Sequence, residues 1–135
     1  MTETTKPAQP FRILLAEDDE SMRTFISLML KKQGYDVVDC ADGAQAYDAL
    51  INAPQSHFDL LLSDVVMPVM DGIELTQKAL SYDPHLRVLY ITGFSGVESI
   101  RKPSDVEQDK SQVIPKPFHI SELLKKISST LKKAS

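Results

Sequence analysis

Five short apolar runs, separated by stretches of helical period, constrain this chain more than any other feature of its sequence. Arg12-Ile13-Leu14-Leu15-Ala16 is the first run, and Val37-Val38, after Gly34-Tyr35, is the second. Asp59-Leu60-Leu61-Leu62-Ser63, Val88-Leu89-Tyr90-Ile91 and Gln112-Val113-Ile114 follow. Several are apolar throughout rather than alternating. A strand reads that way when both faces of its sheet are covered, as in a parallel sheet. Between the runs, Met22, Phe25, Ile26 and Met29 share one helix face that Gly34 closes, and Ala46, Tyr47, Leu50 and Ile51 share another before Pro54. Asp71-Gly72-Ile73-Glu74 has the form of a capping box opening a helix to about Tyr82, where Asp83-Pro84 stops it. The last helix carries the clearest stripe: Ile120, Leu123, Leu124, Ile127 and Leu131. Such alternation predicts an α/β fold, a doubly wound five-stranded parallel sheet with flanking helices and right-handed crossovers. Ser95 to Ser111 resists. It holds Gly96, Pro103 and only a faint stripe of Val97, Ile100 and Val106, so the fourth helix is expected to be short or irregular, or a mobile loop.

The 135 residues suit one domain with a core of its own. Residues 1–10, polar with Pro7 and Pro10, read as a disordered tail ahead of a domain over 11–135. That start excludes a secretory signal of the usual form, and no apolar run approaches the roughly 18 residues of a membrane span. A formal net charge of -4 gives no footprint for nucleic acid and disfavours an anionic membrane surface. The expectation is a soluble, cytoplasmic protein. Cys40, the single cysteine, excludes an intrachain disulfide and reads as a small core residue.

In an open parallel sheet, ligands sit beyond the carboxyl ends of the strands. Glu17, Asp18 and Asp19 follow the first run, Asp64 the third, Thr92 the fourth and Lys116 the fifth. Carboxylates packed together repel, and a hard divalent cation relieves this. Mg²⁺ favours a few carboxylates together with water and phosphate oxygens. Asp64 could then attack phosphorus, with Lys116 neutralising phosphoryl charge and Thr92 donating a hydrogen bond. Each residue also has a plain reading: solvated loop acids, a turn-capping threonine, a surface lysine on a rigid loop. Against that stands the simultaneous match at the three ends that carry Asp64, Thr92 and Lys116.

Leu14-Leu15-Ala16-Glu17-Asp18-Asp19, the block from Ser63 to Gly72, Ile91-Thr92-Gly93 and Pro115-Lys116-Pro117-Phe118 together resemble the motif set of bacterial response-regulator receiver (CheY-like) domains, from about Phe11 to Leu131. The resemblance implies strand order 2-1-3-4-5 and Asp64 as phosphoacceptor. It implies Mg²⁺ held by Glu17, Asp18, Asp64 and the Val66 backbone carbonyl, with Asp19 an adjacent acid outside the ligand set. Thr92 would be the switch hydroxyl and Lys116 the phosphate partner, aimed inward by a cis Lys116–Pro117 bond. The phosphate donor would be a histidine kinase or a histidine phosphotransferase. Such a chain is no enzyme beyond its own phosphorylation and dephosphorylation. In finer detail, Leu60 to Pro68, Ile91 to Phe94 and Lys116 to His119 are similar to single-domain regulators of the CpdR type. That likeness implies a phosphorelay-controlled adaptor which, unphosphorylated, primes the ClpXP protease, with ClpX as partner.

Two positions depart from the family pattern. Many receivers carry Tyr or Phe where this chain has Val113, so the usual coupling of an aromatic ring to the switch hydroxyl cannot run through it. Phe94 is bulky where water would approach the phosphate, and the signal is expected to leave through Thr92-Gly93-Phe94. With no output domain after Ser135, output is expected through binding. A phosphorelay shuttle would instead pass phosphate to another protein. An aspartyl-phosphate phosphatase of the haloacid-dehalogenase type wants an acid two residues beyond the nucleophile, where Val66 stands. A flavodoxin-like cofactor binder needs a phosphate-cradling first loop, which Glu17-Asp18-Asp19 would repel. His57, His85 and His119 read as surface residues, and Lys125, Lys126, Lys132 and Lys133 as a solvated helix face.

Overall fold

The computed structural model describes residues 10–52, 57–93 and 113–132. Its elements are β1 (Arg12–Ala16), α1 (Glu20–Lys32), β2 (Asp36–Cys40), α2 (Gly43–Ile51), β3 (Leu60–Asp64), α3 (Gly72–Tyr82), β4 (Arg87–Thr92), β5 (Val113–Pro115) and α4 (Ile120–Lys132). The strands form one parallel sheet in the order β2-β1-β3-β4-β5. The irregular helix expected at Ser95–Ser111 lies outside the described residues, as do most of the N-terminal tail, Phe94 and Lys133. Among the described residues no helix is long and apolar enough to cross a membrane.

The apolar runs are continuous because the sheet is covered on both sides. Leu14, Leu61, Val88 and Tyr90 pack on one face against Ala46 and Leu50 of α2 and Leu75 and Ala79 of α3. The alternate residues Ile13, Leu15, Leu60, Leu62, Leu89 and Ile91 pack on the other, against Ile26 and Leu30 of α1 and Leu123, Ile127 and Leu131 of α4. Period-2 alternation thus sends neighbouring apolar residues into two separate cores. β2 is an edge strand with Asp36 and Asp39 exposed, and accordingly shows a weaker run.

Local chemistry sets the helix ends. Asp19, Asp42 and Asp71 cap α1, α2 and α3, each carboxylate accepting from the third helical N–H, of Met22, Gln45 and Glu74. The capping box read at Asp71 therefore forms its first half as expected. At the end of α1, Gly34 adopts φ +96°. Its N–H donates to the Lys31 carbonyl and that of Tyr35 to the Leu30 carbonyl, the paired bonds of a Schellman ending.

The stripe expected on α1 needs correction. Phe25 is 45 % exposed, and the buried residues are Ile26, Ser27 and Leu30. The face toward the sheet centres on the i, i+4 pair Ile26 and Leu30, which leaves Phe25 and Leu28 on the flank. Ile51 is likewise exposed, at the last position of α2. β3 and β5 each end one residue later than their apolar runs, at Asp64 and Pro115.

Between β3 and α3, Val69 adopts φ +71° and is 80 % exposed. A β-branched residue in the left-handed region is strained, and its side chain gains little burial here to offset that. Asparagine tolerates this region. Val69→Asn is expected to raise stability by about 1 kcal/mol, read as a higher urea midpoint at unchanged slope. A lower midpoint would show that the valine is held by contacts worth more than the strain.

Candidate functional site

Parallel register brings the carboxyl ends of four strands to one edge. Ala16 pairs with Ser63, Asp64 with Ile91 and Thr92 with Pro115, so residues 17, 64, 92 and 116 emerge side by side. The Lys116 N–H donates to the Thr92 carbonyl at 2.7 Å, tying the ends of β4 and β5 together. The Lys116–Pro117 bond is cis, as the sequence suggested.

Four side chains meet at that edge. The Lys116 ammonium donates to Asp64 Oδ2 at 3.0 Å and lies 3.6 Å from Glu17 Oε1. Glu17, Asp18 and Asp64 each offer a carboxylate oxygen within 4.8 Å of the others. Glu17 is fully buried, Asp64 is 6 % exposed and Asp18 faces solvent, so the cluster has a dry floor and a wet mouth. Asp19 stands apart from the cluster as the cap of α1. Its backbone N–H donates to Glu17 Oε2 at 3.1 Å. Thr92 is fully buried, and its hydroxyl donates to the Gly93 carbonyl at 3.1 Å.

Close backbone packing holds the loop after Asp64. The Val65 N–H donates to the Ile91 carbonyl at 3.1 Å, and the Gly72 N–H to the Val65 carbonyl at 2.7 Å. Any side chain at position 72 would collide with the Asp64 carbonyl, so glycine is required there for steric rather than conformational reasons. The Ser63 hydroxyl donates to the same carbonyl at 2.8 Å. Val66, two residues beyond Asp64, is half-exposed at the rim.

One ammonium faces three carboxylates, which leaves an excess of negative charge in a partly dry place. Burial, followed by the charges of Asp64 and Asp18, pushes the Glu17 carboxyl from its ordinary 4.5 to about 7, against the opposing pull of the Asp19 N–H and Lys116. Burial alone would lower the Lys116 pKa, but its hydrogen bond to Asp64 and the charges of Asp64 and Glu17 outweigh that and raise it. Glu17 Oε1 is buried with no hydrogen bond. These are the marks of a donor set short of one positive partner. An oxygen-rich set of three carboxylates open to water on one side fits a hard divalent cation.

The remaining sequence candidates fall outside the cluster. His57, His85 and His119 are exposed on separate loops. The Cys40 thiol is buried and pushed up to about 11, chiefly by that burial, which makes it a poor nucleophile. Lys125 and Lys132 are exposed on α4. Val113 packs beside Tyr90, its register partner on β4. Sequence reading passed over Arg23, whose guanidinium donates to the Glu17 carbonyl at 2.9 Å. Its only signal was its position one turn into α1, from which a long side chain can reach back over the helix start.

Comparison with known proteins bears on this arrangement. Residues 13–128 match the family model of the response regulator receiver domain. The response regulator receiver protein CpdR of Brucella abortus (strain 2308) is 47% identical over 120 residues, 89% of this chain and 96% of that protein. The response regulator MprA of Mycobacterium sp. (strain KMS) is 30% identical over 93% of this chain, which spans only 53% of that longer protein. The crystal structure of the receiver domain from the hybrid histidine kinase CckA superposes with a TM-score of 0.68 at 34% identity, covering 89% of this chain and 98% of that one. Receiver domains are phosphoacceptors rather than enzymes of the classical kind and bind Mg²⁺ at an acidic pocket, and this chain carries an acidic cluster of Glu17, Asp18 and Asp64. With its sheet order, its acidic edge and this match over most of its length, the chain belongs to the response regulator receiver domain family.

Proposed function

We propose that Asp64 is the phosphoacceptor of a Mg²⁺-dependent phosphorelay and that its phosphorylation state controls binding to a protein partner. The observation that carries this reading is the Lys116 ammonium set 3.0 Å from Asp64 inside a three-carboxylate cluster. Glu17, Asp18, Asp64 and the Val66 carbonyl would hold the metal. When bound, Mg²⁺ neutralises charge on the carboxylates and on the incoming phosphoryl oxygens.

The chain's own groups divide the work. A carboxylate oxygen of Asp64 forms the bond to phosphorus as the bond from phosphorus to the donor breaks. The donor is a histidine kinase or a histidine phosphotransferase, and its imidazole nitrogen keeps the electron pair of the broken bond. Lys116 pairs with Asp64 before transfer and with a phosphoryl oxygen after it. The Thr92 hydroxyl leaves the Gly93 carbonyl to donate to another phosphoryl oxygen. Val113 is aliphatic, so no ring on β5 follows that movement, and we assign the output to the loop that begins at Thr92-Gly93. The likeness to CpdR supports an adaptor role toward ClpXP, with ClpX bound by the unphosphorylated form, in the cytoplasm.

Acetyl phosphate with Mg²⁺ is expected to add one phosphoryl group, seen by intact-mass spectrometry. Asp64→Asn or excess EDTA should abolish the adduct. An adduct of equal yield in either condition would refute the assignment.

Glu17 gives the site a pH signature. Without metal, its raised pKa means that the folded state binds a proton more tightly than the unfolded chain. Stability should therefore fall as pH rises from 4.5 to about 7, and level off above. Metal binding needs the carboxylate, so Mg²⁺ affinity should rise with pH through about 7 and flatten above it. Calorimetric titration with MgCl₂ at several pH values reads this directly. Glu17→Gln should remove the slope, and a flat profile in the wild type would exclude a proton-linked Glu17.

The partner assignment has its own measurement. Immobilised ClpX should retain the unphosphorylated chain and Asp64→Ala, and release the acetyl-phosphate-treated wild type. Equal retention of all three would remove ClpX as the state-dependent partner. Transfer of phosphate onward to a histidine protein would identify a shuttle instead.

A further inference from the structure

We propose that Arg23 is a positioning residue of the acidic site: by holding the Glu17 carbonyl, it fixes the peptide that joins Glu17 to Asp18 and so sets the relative aim of the two acids. The inference rests on the metal-site reading above and deepens it.

Glu17 is secured at both ends of its own backbone. Its N–H donates to the carbonyl of Cys40, the last residue of β2, at 3.1 Å. Its carbonyl accepts from Arg23 Nη1 at 2.9 Å. The peptide unit is planar, so the carbonyl of residue 17 and the N–H of residue 18 turn as one body. A hold on that carbonyl therefore sets the direction in which Asp18 leaves the strand. β1 ends at Ala16 and α1 begins at Glu20, and among the described residues no backbone N–H outside the helices and strands donates to this carbonyl. Glu17 itself is fully buried, and a charge-assisted hydrogen bond from a guanidinium is a strong substitute for the missing ladder.

The base of the arm is equally fixed. Arg23 lies in the first turn and a half of α1, and its own N–H donates to the Asp19 carbonyl at 2.8 Å. Asp19 caps the helix and donates its N–H to the Glu17 carboxylate. Residues 17 to 23 thus close a ring. The helix start holds the Glu17 side chain through Asp19 and the Glu17 backbone through Arg23. The leading charges on the Glu17 carboxyl are those of Asp64, Lys116 and Asp18, and the Arg23 guanidinium meets the Glu17 main chain instead. Its contribution to the site is one of geometry more than of charge. Groups that orient metal ligands from behind typically matter by about 10–100-fold in affinity.

The test is calorimetric titration of the full chain with MgCl₂, alongside thermal unfolding without metal. Arg23→Met keeps length and apolar stem but loses the donor, and should weaken Mg²⁺ binding about tenfold. Arg23→Lys keeps a donor and should recover most of the loss. Should Arg23→Met fail to fold, Arg23→Gln, uncharged and too short to reach the Glu17 carbonyl from the same backbone position, takes its place in the same titration with the same weakening expected. A lower unfolding temperature with wild-type Mg²⁺ affinity would overturn the proposal and leave Arg23 as a clasp on the fold. Failure of the wild type to bind Mg²⁺ would overturn the metal-site reading together with this inference.

Discussion

The ammonium of Lys116 lies between two carboxylates that the fold has taken out of water, and much of the remaining structure serves to bring those three groups together. Asp64 and Glu17 come from strands on one side of it and Lys116 from a loop beyond the sheet's far edge, separated by 52 residues from Asp64. The ammonium meets one carboxylate at 3.0 Å and the other at 3.6 Å, and cannot neutralise both in full. Burial first, and that shortfall after it, keep the Glu17 carboxyl at about 7 and leave the site receptive to a further cation. A buried cluster of this kind is costly to fold around, and close backbone packing surrounds it.

The packing is specific. Gly72 lets the start of α3 press against the Asp64 carbonyl, and Gly43 lets α2 press against the Met70 carbonyl. Together they clamp the loop between β3 and α3 from both ends. Within the loop, Val69 takes a backbone conformation it does not favour. On the opposite wall, Asp19 and Arg23 hold Glu17 from the start of α1. The acids are therefore carried on short, braced connections, which suits the phosphoryl transfer proposed for this site.

Much of this was legible in the residues. The apolar runs announced buried parallel strands because each had to satisfy two cores. The strand-end positions of Glu17, Asp18, Asp64, Thr92 and Lys116 followed from the same reading, since a parallel sheet collects its carboxyl ends on one edge. The N-caps were partly visible, through the spacing from Asp71 to Glu74. The face of α1 was misjudged, because Phe25 is apolar enough to read as core and only the packing angle against the sheet decides that Ile26 and Leu30 face inward. Arg23 escaped notice for a different reason: a guanidinium that grips a backbone carbonyl leaves no mark in hydrophobic period or motif.

What the sequence by itself determined was the class of fold, the edge on which the chemistry lies and the types of group found there. Hydrophobic period and strand-end composition are local properties, and the rule that parallel strands share a carboxyl edge carries them to a site. Only the tertiary structure decided how dry each acid is and which of them Lys116 touches. It also decided which main-chain groups are gripped from behind. Those quantities depend on distances between residues far apart in the chain. A carboxylate's charge state follows from its burial and its neighbours, and no stretch of sequence around Glu17 contains either.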